Sequence, residues 1–151
     1  METVKTQLDD LMPLFREQLS TGGSVRFSPK GTSMLPMLRP GIDSVVISPV
    51  PEKLKRYDLS LYCRPDGRYV LHRIVRVDEG YTCMGDNQFV EEKNVHHDQM
   101  IGLVTAFYRG QRCYSVTNVW YRLYCIFWYR SRYVRRFGHR LWSWFRRYIN
   151  Y

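Results

Sequence analysis

Ser33 stands in Gly31-Thr32-Ser33-Met34-Leu35-Pro36-Met37-Leu38, where a hydroxyl pair runs directly into an apolar stretch of the kind that ordinarily fills a core. A turn after a strand exposes such a hydroxyl while nearby backbone N–H groups face a developing oxyanion, which is what a nucleophilic serine needs. The same residues also suit a strand end in which Ser33 caps a short helix. His72 lies in Tyr-Val-Leu-His-Arg-Ile-Val-Arg-Val, residues 69 to 77. Strand alternation puts Val70, His72 and Ile74 on one face and Leu71, Arg73 and Val75 on the other. A histidine on an apolar face is commonly a satisfied core residue, yet an imidazole that titrates near pH 6.5 also suits a general base. Met84-Gly85-Asp86-Asn87 closes a further strand, and by itself that corner is a turn.

The elements that must carry these residues are mostly strands. Val4, Leu8, Leu11, Phe15 and Leu19 recur at helical spacing until Gly22-Gly23, so residues 1–23 read as an N-terminal amphipathic helix, with Pro13 weakening its first half. Short Val-, Ile- and Tyr-rich runs follow at 25–28, 44–48, 59–64, 69–77, 81–84, 100–108 and 112–116. Asp66-Gly67, Glu79-Gly80 and Arg109-Gly110 mark reversals between them. The fold class expected is mainly β, with residues 24–116 as one body.

Length and charge narrow the function classes. A chain of 151 residues holds one core. The net charge of +9 suggests nucleic acid until it is divided along the chain: residues 117–151 carry eight Arg and no Asp, Glu or Lys, and the body before them is nearly neutral. The same tail holds 13 of the 23 aromatic residues. Cys63, Cys83, Cys113 and Cys125 form no C-x-x-C pair and read as reduced core or interface residues rather than as a zinc or disulfide framework. Asp9 and Asp10 interrupt any signal-peptide-like run, and no segment is long enough to span a bilayer.

Taken together and in order, Gly-Thr-Ser-Met-x-Pro-Met-Leu, Arg-Pro-Gly-Ile-Asp-Ser-Val-Val, Lys-Arg-Tyr-Asp-Leu-Ser-Leu-Tyr, Leu-His-Arg-Ile-Val and Gly-Asp-Asn resemble the ordered boxes of the type I signal peptidases and of the related self-cleaving repressor proteases. The resemblance covers about residues 24 to 108. It implies a signal-peptidase-like β domain and a serine endopeptidase with Ser33 as nucleophile and His72 as general base, needing no metal or organic cofactor. His72 stands where the bacterial branch has a lysine, so the chain is similar to the histidine branch of the endoplasmic reticulum, archaea and some Gram-positive bacteria. Asp86 or Glu92 is expected to orient the imidazole. The Gly-Asp-Asn match favours Asp86, while Glu91-Glu92 replaces the Asp-Asp pair usual in the histidine branch. Gly31 replaces a hydroxyl residue common two positions before the nucleophile, so the Ser33 N–H, with the Thr32 hydroxyl, is expected to hold the oxyanion. His96 and His97 match no box and read as a solvated loop.

The tail returns to helical spacing, with Val119, Leu123, Ile126, Phe127, Val134, Phe137, Leu141, Trp144, Phe145 and Tyr148 on one side and Arg122, Arg132, Arg135, Arg136, Arg140, Arg146 and Arg147 largely on the other. Gly138 is a candidate division into two helices. An Arg face opposed to an aromatic face is the pattern of a helix in the bilayer interface, with Arg135, Arg136, Trp142, Trp144 and Phe145 as membrane contacts. The alternative is a helix packed on the protein's own body or on a partner; nucleic acid is not the expected partner. The whole reads as a peripheral membrane-associated peptidase acting on an extended peptide or protein precursor. The competing readings are a non-catalytic peptide- or membrane-binding relative and a self-cleaving regulatory protease.

Overall fold

The computed structural model describes residues 2–149, with side chains described from 8 to 146; Val4, Arg147 and Tyr148 of the helical stripes lie outside those side chains. Helix α1 (Glu2–Ser20) leads into β1 (Val25–Phe27), β2 (Ser44–Ser48), β3 (Leu59–Cys63), β4 (Tyr69–Val77), β5 (Tyr81–Met84), β6 (Glu92–Val95), β7 (Met100–Arg109) and β8 (Arg112–Ser115). Two helices, α2 (Val119–Arg130) and α3 (Arg132–Ile149), follow. The strands form one antiparallel sheet in the order β1-β2-β7-β3-β4-β5-β6, and β8 pairs with the outer half of β7. The mainly β expectation holds in this form: an antiparallel sheet with three helices.

Helix α1 is part of the core. Met12, Phe15 and Leu19 are buried in one cluster with Met34, Met37, Leu38, Leu59, Leu61, Leu71 and Ile101, and Leu8 packs against it. Leu11 faces solvent, so the stripe runs through Met12 instead. Pro13 lies inside the helix without ending it. Its interior cost of about 3 kcal/mol is offset by neighbours that each gain roughly 1.5–3 kcal/mol on burial. Gly22, at φ +80°, ends the helix, with Gly23 N–H donating to Gln18 O (3.0 Å) and Gly22 N–H to Leu19 O (3.1 Å). A second cluster, with Leu54, Tyr62, Ile74, Tyr81, Cys83, Val95 and Met100, fills the other face. Strand β4 is therefore buried on both faces in its middle, from Leu71 to Val75.

Strand β6 was not expected from the sequence. Its Glu-Lys-Asn-Val carries no apolar alternation, and pairing with β5, which sets Glu92 opposite Cys83 and Val95 opposite Tyr81, makes it a strand. Of the four cysteines, all free, Cys83 and Cys125 are buried, Cys63 is half-buried and Cys113 is exposed on β8.

The tail divides at Ser131, and Gly138 lies exposed within α3. The reason is Arg135, which turns back so that Nη2 donates to Trp128 O (2.6 Å) and Nε to Ser131 Oγ (3.4 Å), satisfying a terminal carbonyl of α2. Helix α2 is docked on the body, which is the alternative arrangement for this part of the tail. Tyr121, Tyr124, Cys125 and Trp128 share one face at i, i+3, i+4, i+7 spacing, and that face covers a buried ion pair. Arg73 Nε and Nη2 donate to the two oxygens of Asp86, each at 2.8 Å, with side chains only 2% and 3% exposed. The remaining Arg73 donors reach Tyr121 Oη (2.9 Å), Cys125 Sγ (2.9 Å), Met37 Sδ (3.1 Å) and Tyr57 O (3.2 Å). Tyr57 holds a left-handed backbone at φ +76° to present that carbonyl.

Asp86→Asn should therefore act on stability, because it leaves a buried guanidinium without its anion at a cost of about 3–5 kcal/mol. Thermal melts are expected to show Tm lower by roughly 10 °C, while Glu79→Gln, on an exposed turn, leaves Tm within about a degree.

Candidate active site

Strand β4 places His72 between β3 and the end of β5. Ser60 on β3 is its register partner, and on the other side the β4–β5 ladder ends at Arg73–Met84, with His72 and Gly85 the next residue on each strand. Gly85 also touches the nucleophile candidate. A Cβ there would lie 2.7 Å from Ser33 O and 3.0 Å from Ser33 Cβ, so only glycine permits this approach. Asn87 completes the hold, its N–H donating to Ser33 O at 2.8 Å and its Nδ2 to Thr32 O at 3.3 Å. The Gly-Asp-Asn corner is thus a clasp on the Gly-Thr-Ser loop, and Gly85 and Asn87 are site residues that sequence reasoning treated only as motif letters.

Ser33 itself lies in a run of turns, half-buried, with Met34, Met37 and Leu38 turned into the core. The apolar run after the hydroxyl pair is the anchor of the loop. Leu35 N–H donates to Thr32 O (3.2 Å) and Leu38 N–H to Met34 O (2.9 Å), so the segment is closed by successive turns and not by a helix capped by Ser33. Among the described residues the Ser33 N–H makes no backbone hydrogen bond. It is thus available to an oxyanion. Thr32 is exposed beside it.

The group that reaches the imidazole is Glu92. Its Oε1 lies 3.1 Å from His72 Nδ1, and Tyr62 Oη lies 3.3 Å from the same nitrogen. Arg64 Nε donates to Glu92 Oε2 at 2.8 Å and Arg64 Nη2 to Oε1, a two-pronged grip that sets the carboxylate's plane. Asp86 is held by Arg73, on the opposite face of β4 from His72. The preference for Asp86 as orienting acid is therefore reversed in geometry: Glu92 contacts His72 and Asp86 does not. Glu92 was hard to favour from sequence because the strand that delivers it has no strand pattern; Arg64 and Tyr62 had no signal of their own. His96 and His97 are exposed, and His97 bonds Tyr81 Oη through Nδ1 at 3.0 Å.

Electrostatics set the protonation states. Burial lowers His72 from its ordinary value to about 4, against the opposing pull of the Glu92 carboxylate. Burial alone would raise Glu92, but hydrogen bonds from Arg64 and Tyr62 and the charge of Arg64 outweigh it and hold Glu92 below the usual carboxylate range. The neutral ring beside an anion must carry its proton on Nδ1, which leaves Nε2 as the acceptor. The polar contacts of the ring with Glu92 and Tyr62 both use Nδ1. The residue is buried, at 1% exposure. Two concavities, of about 330 Å³ by Asp78–Thr82 and about 540 Å³ between α1 and β1, include neither Ser33 nor His72.

The membrane-contact residues divide. Arg135 faces the body, its Nη1 3.3 Å from Asp86 O and its guanidinium 3.8 Å from the Trp128 ring centre, which removes it from the exposed face. Arg132 likewise pairs with Glu91 at 3.3 Å. Arg136, Trp142, Trp144 and Phe145 are exposed.

The lowered His72 moves the titration expected of a general base here away from pH 6.5. A base that must be neutral, with a folded pKa of about 4, gives an acid limb near pH 4 and a level profile above about pH 5. Glu92→Gln removes the anion that raises His72, so the limb should move still lower while the plateau rate falls about 100-fold or more. A pH–rate profile of both proteins checks this, and a limb unmoved by Glu92→Gln would contradict the pairing. No protein-family model, curated protein or solved structure matches the chain.

Proposed function

We propose that this chain is a serine endopeptidase of the signal-peptidase type, with Ser33 as nucleophile, His72 as general base and Glu92 as the residue that orients and charge-balances the base. The observation that carries the reading is Ser33 pinned against Gly85, the residue that follows the Met84 paired with Arg73, while His72, the neighbour of Arg73, is bonded through Nδ1 to an ionised Glu92. The ordered boxes that resemble the signal peptidases point the same way.

The chemistry follows from these groups. Nε2 takes the Ser33 Oγ proton as Oγ attacks the carbonyl carbon of the scissile peptide, and the Ser33 N–H accommodates the oxyanion. The tetrahedral adduct collapses, Nε2 returns the proton to the leaving amine, and an ester links Ser33 to the acyl half of the substrate. Water, deprotonated by Nε2, then attacks that ester and frees the carboxylate and the serine. An imidazole with a pKa of about 4 is a weak base. Glu92 compensates by stabilising the imidazolium as it forms, which is why its ionised state matters. The substrate is an extended segment of a peptide or protein precursor, bound by its backbone along the surface around Ser33.

The site of action is a membrane surface. The support is α3, on which Phe137 (70% exposed), Trp142 (62%) and Phe145 (48%) lie open beside Arg136 and Arg140, with no acidic residue after Asp98. Among the described residues no helix is long and apolar enough to cross a membrane, so the contact would be interfacial.

Ser33→Ala is expected to abolish cleavage of precursor-derived peptides with no change in Tm; near-normal turnover would end the peptidase reading. In flotation assays the intact protein should bind anionic vesicles more tightly than neutral ones, and less tightly as salt rises. Replacing Trp142, Trp144 and Phe145 together by Ala, with every Arg retained, should cut that binding at least tenfold, and unchanged binding would remove the membrane from the proposal.

A further inference from the structure

Helix α2 touches the site at one place, the Gly85-Asp86-Asn87 corner, and from both sides of the chain there. The Asp86 side chain accepts from Tyr124 Oη at 3.1 Å as well as from Arg73. Its main-chain oxygen accepts from Trp128 Nε1 at 2.7 Å and from Arg135 Nη1 at 3.3 Å. The residue on either side of Asp86 holds the Ser33 loop: Gly85 by contact with Ser33 O and Cβ, Asn87 by its hydrogen bonds to Ser33 O and Thr32 O. Three consecutive residues thus have their centre gripped by the tail and their ends gripping the nucleophile loop. The base is tied to the same helix by one more step, since Arg73, next to His72 on β4, donates to Tyr121 and Cys125 of α2.

We infer that Tyr124 and Trp128 are positioning residues for Ser33, and that α2 is a working part of the catalytic centre. The inference rests on the peptidase reading for its consequence in catalysis, though its structural core, the hold of α2 on the Asn87–Ser33 clasp, stands apart from it. Trp128 is suited to the role because an indole N–H donates once and in a fixed direction, and its ring is wedged between the Arg135 guanidinium and Tyr124, whose ring stacks on it at 5.8 Å. The bond to Asp86 O therefore sets where the peptide plane between Asp86 and Asn87 lies, and with it the Asn87 N–H that Ser33 O receives. A nucleophile displaced by about 1 Å loses on the order of 100-fold in rate. The tail then has two tasks divided between its helices, α2 setting the nucleophile and α3 offering the exposed face, with Arg135 at the junction touching Asp86, Trp128 and Ser131.

The test uses full-length protein carrying Trp128→Phe or Tyr124→Phe, each of which removes one donor and keeps an aromatic ring. The primary measurement is amide hydrogen exchange at Asn87, whose N–H bonds Ser33 O, against the amides of β3 and β7. At least tenfold faster exchange at Asn87, with the strand amides unchanged, is expected in Trp128→Phe and a smaller increase in Tyr124→Phe. In the same variants kcat on a precursor peptide should fall about tenfold or more, with KM within twofold and the acid limb of the pH profile unmoved. Unchanged Asn87 exchange overturns the inference. So does exchange that rises equally at Asn87 and in the strands, which would make α2 a general stabiliser, and so does a loosened Asn87 with full kcat. A wild-type protein that cleaves no peptide would sink the peptidase reading instead, and the exchange arm would still decide whether α2 holds the clasp.

Discussion

The constraint on which the structure depends is the burial of Arg73 opposite Asp86. A guanidinium has five N–H groups and cannot shed its proton in a protein, so every donor buried with it must be met. Asp86 meets two with paired bonds, and the rest fall to a tyrosine hydroxyl, a thiol, a thioether and a backbone carbonyl from three separate parts of the chain. Satisfying that one cation draws β4, the loop after β5, the strained Tyr57, the Met37 turn and helix α2 to a common point. The aromatic face of α2 excludes water from the pair, and the pair gives that face its polar partners.

The alternation of β4 keeps this buried cation apart from the imidazole next to it in sequence. His72 and Arg73 are neighbours that face opposite sides of the sheet, so the imidazole meets Glu92, Tyr62 and Arg64 while the guanidinium meets Asp86 and the tail. The two carboxylates are likewise separated in role by which cation holds each. Glu92, gripped by a half-exposed Arg64 at the rim, stays ionised beside the imidazole. Asp86 is fully committed inside. Burial lowers His72 so far that its resting state is neutral, and the anion beside it matters chiefly when the ring takes up a proton.

Much of this was legible in the chain, at positions where a local rule operates. The periodicity of α1, the strand runs of the body and the turns at Asp66-Gly67 and Arg109-Gly110 follow from side-chain spacing and backbone preference, and the observed elements agree to within a residue or two. The order of the motifs brings the Gly-Thr-Ser loop and the Gly-Asp-Asn corner into view together, though the corner reads there as the source of the acid rather than as the clasp on Ser33 that it is. Glu92 was in view but ranked second, because β6 exists only by pairing with β5 and carries no strand signal of its own.

Sequence by itself determined which residues could carry charge and chemistry, where the chain alternates and where it turns, because those properties belong to single residues and short spacings. It also set the tail apart as basic, aromatic and helical. Tertiary structure decided partners. Two carboxylates six residues apart, Asp86 and Glu92, are equivalent to any local rule, and only the fold hands one to a buried arginine and the other to the histidine. Arg135 and Arg136 are adjacent on one helix, yet one turns inward to the Asp86 carbonyl and the other faces solvent. The physical reason is the same in both cases: desolvation and hydrogen bonding act on three-dimensional neighbours, and those neighbours come from strands and helices distant in sequence.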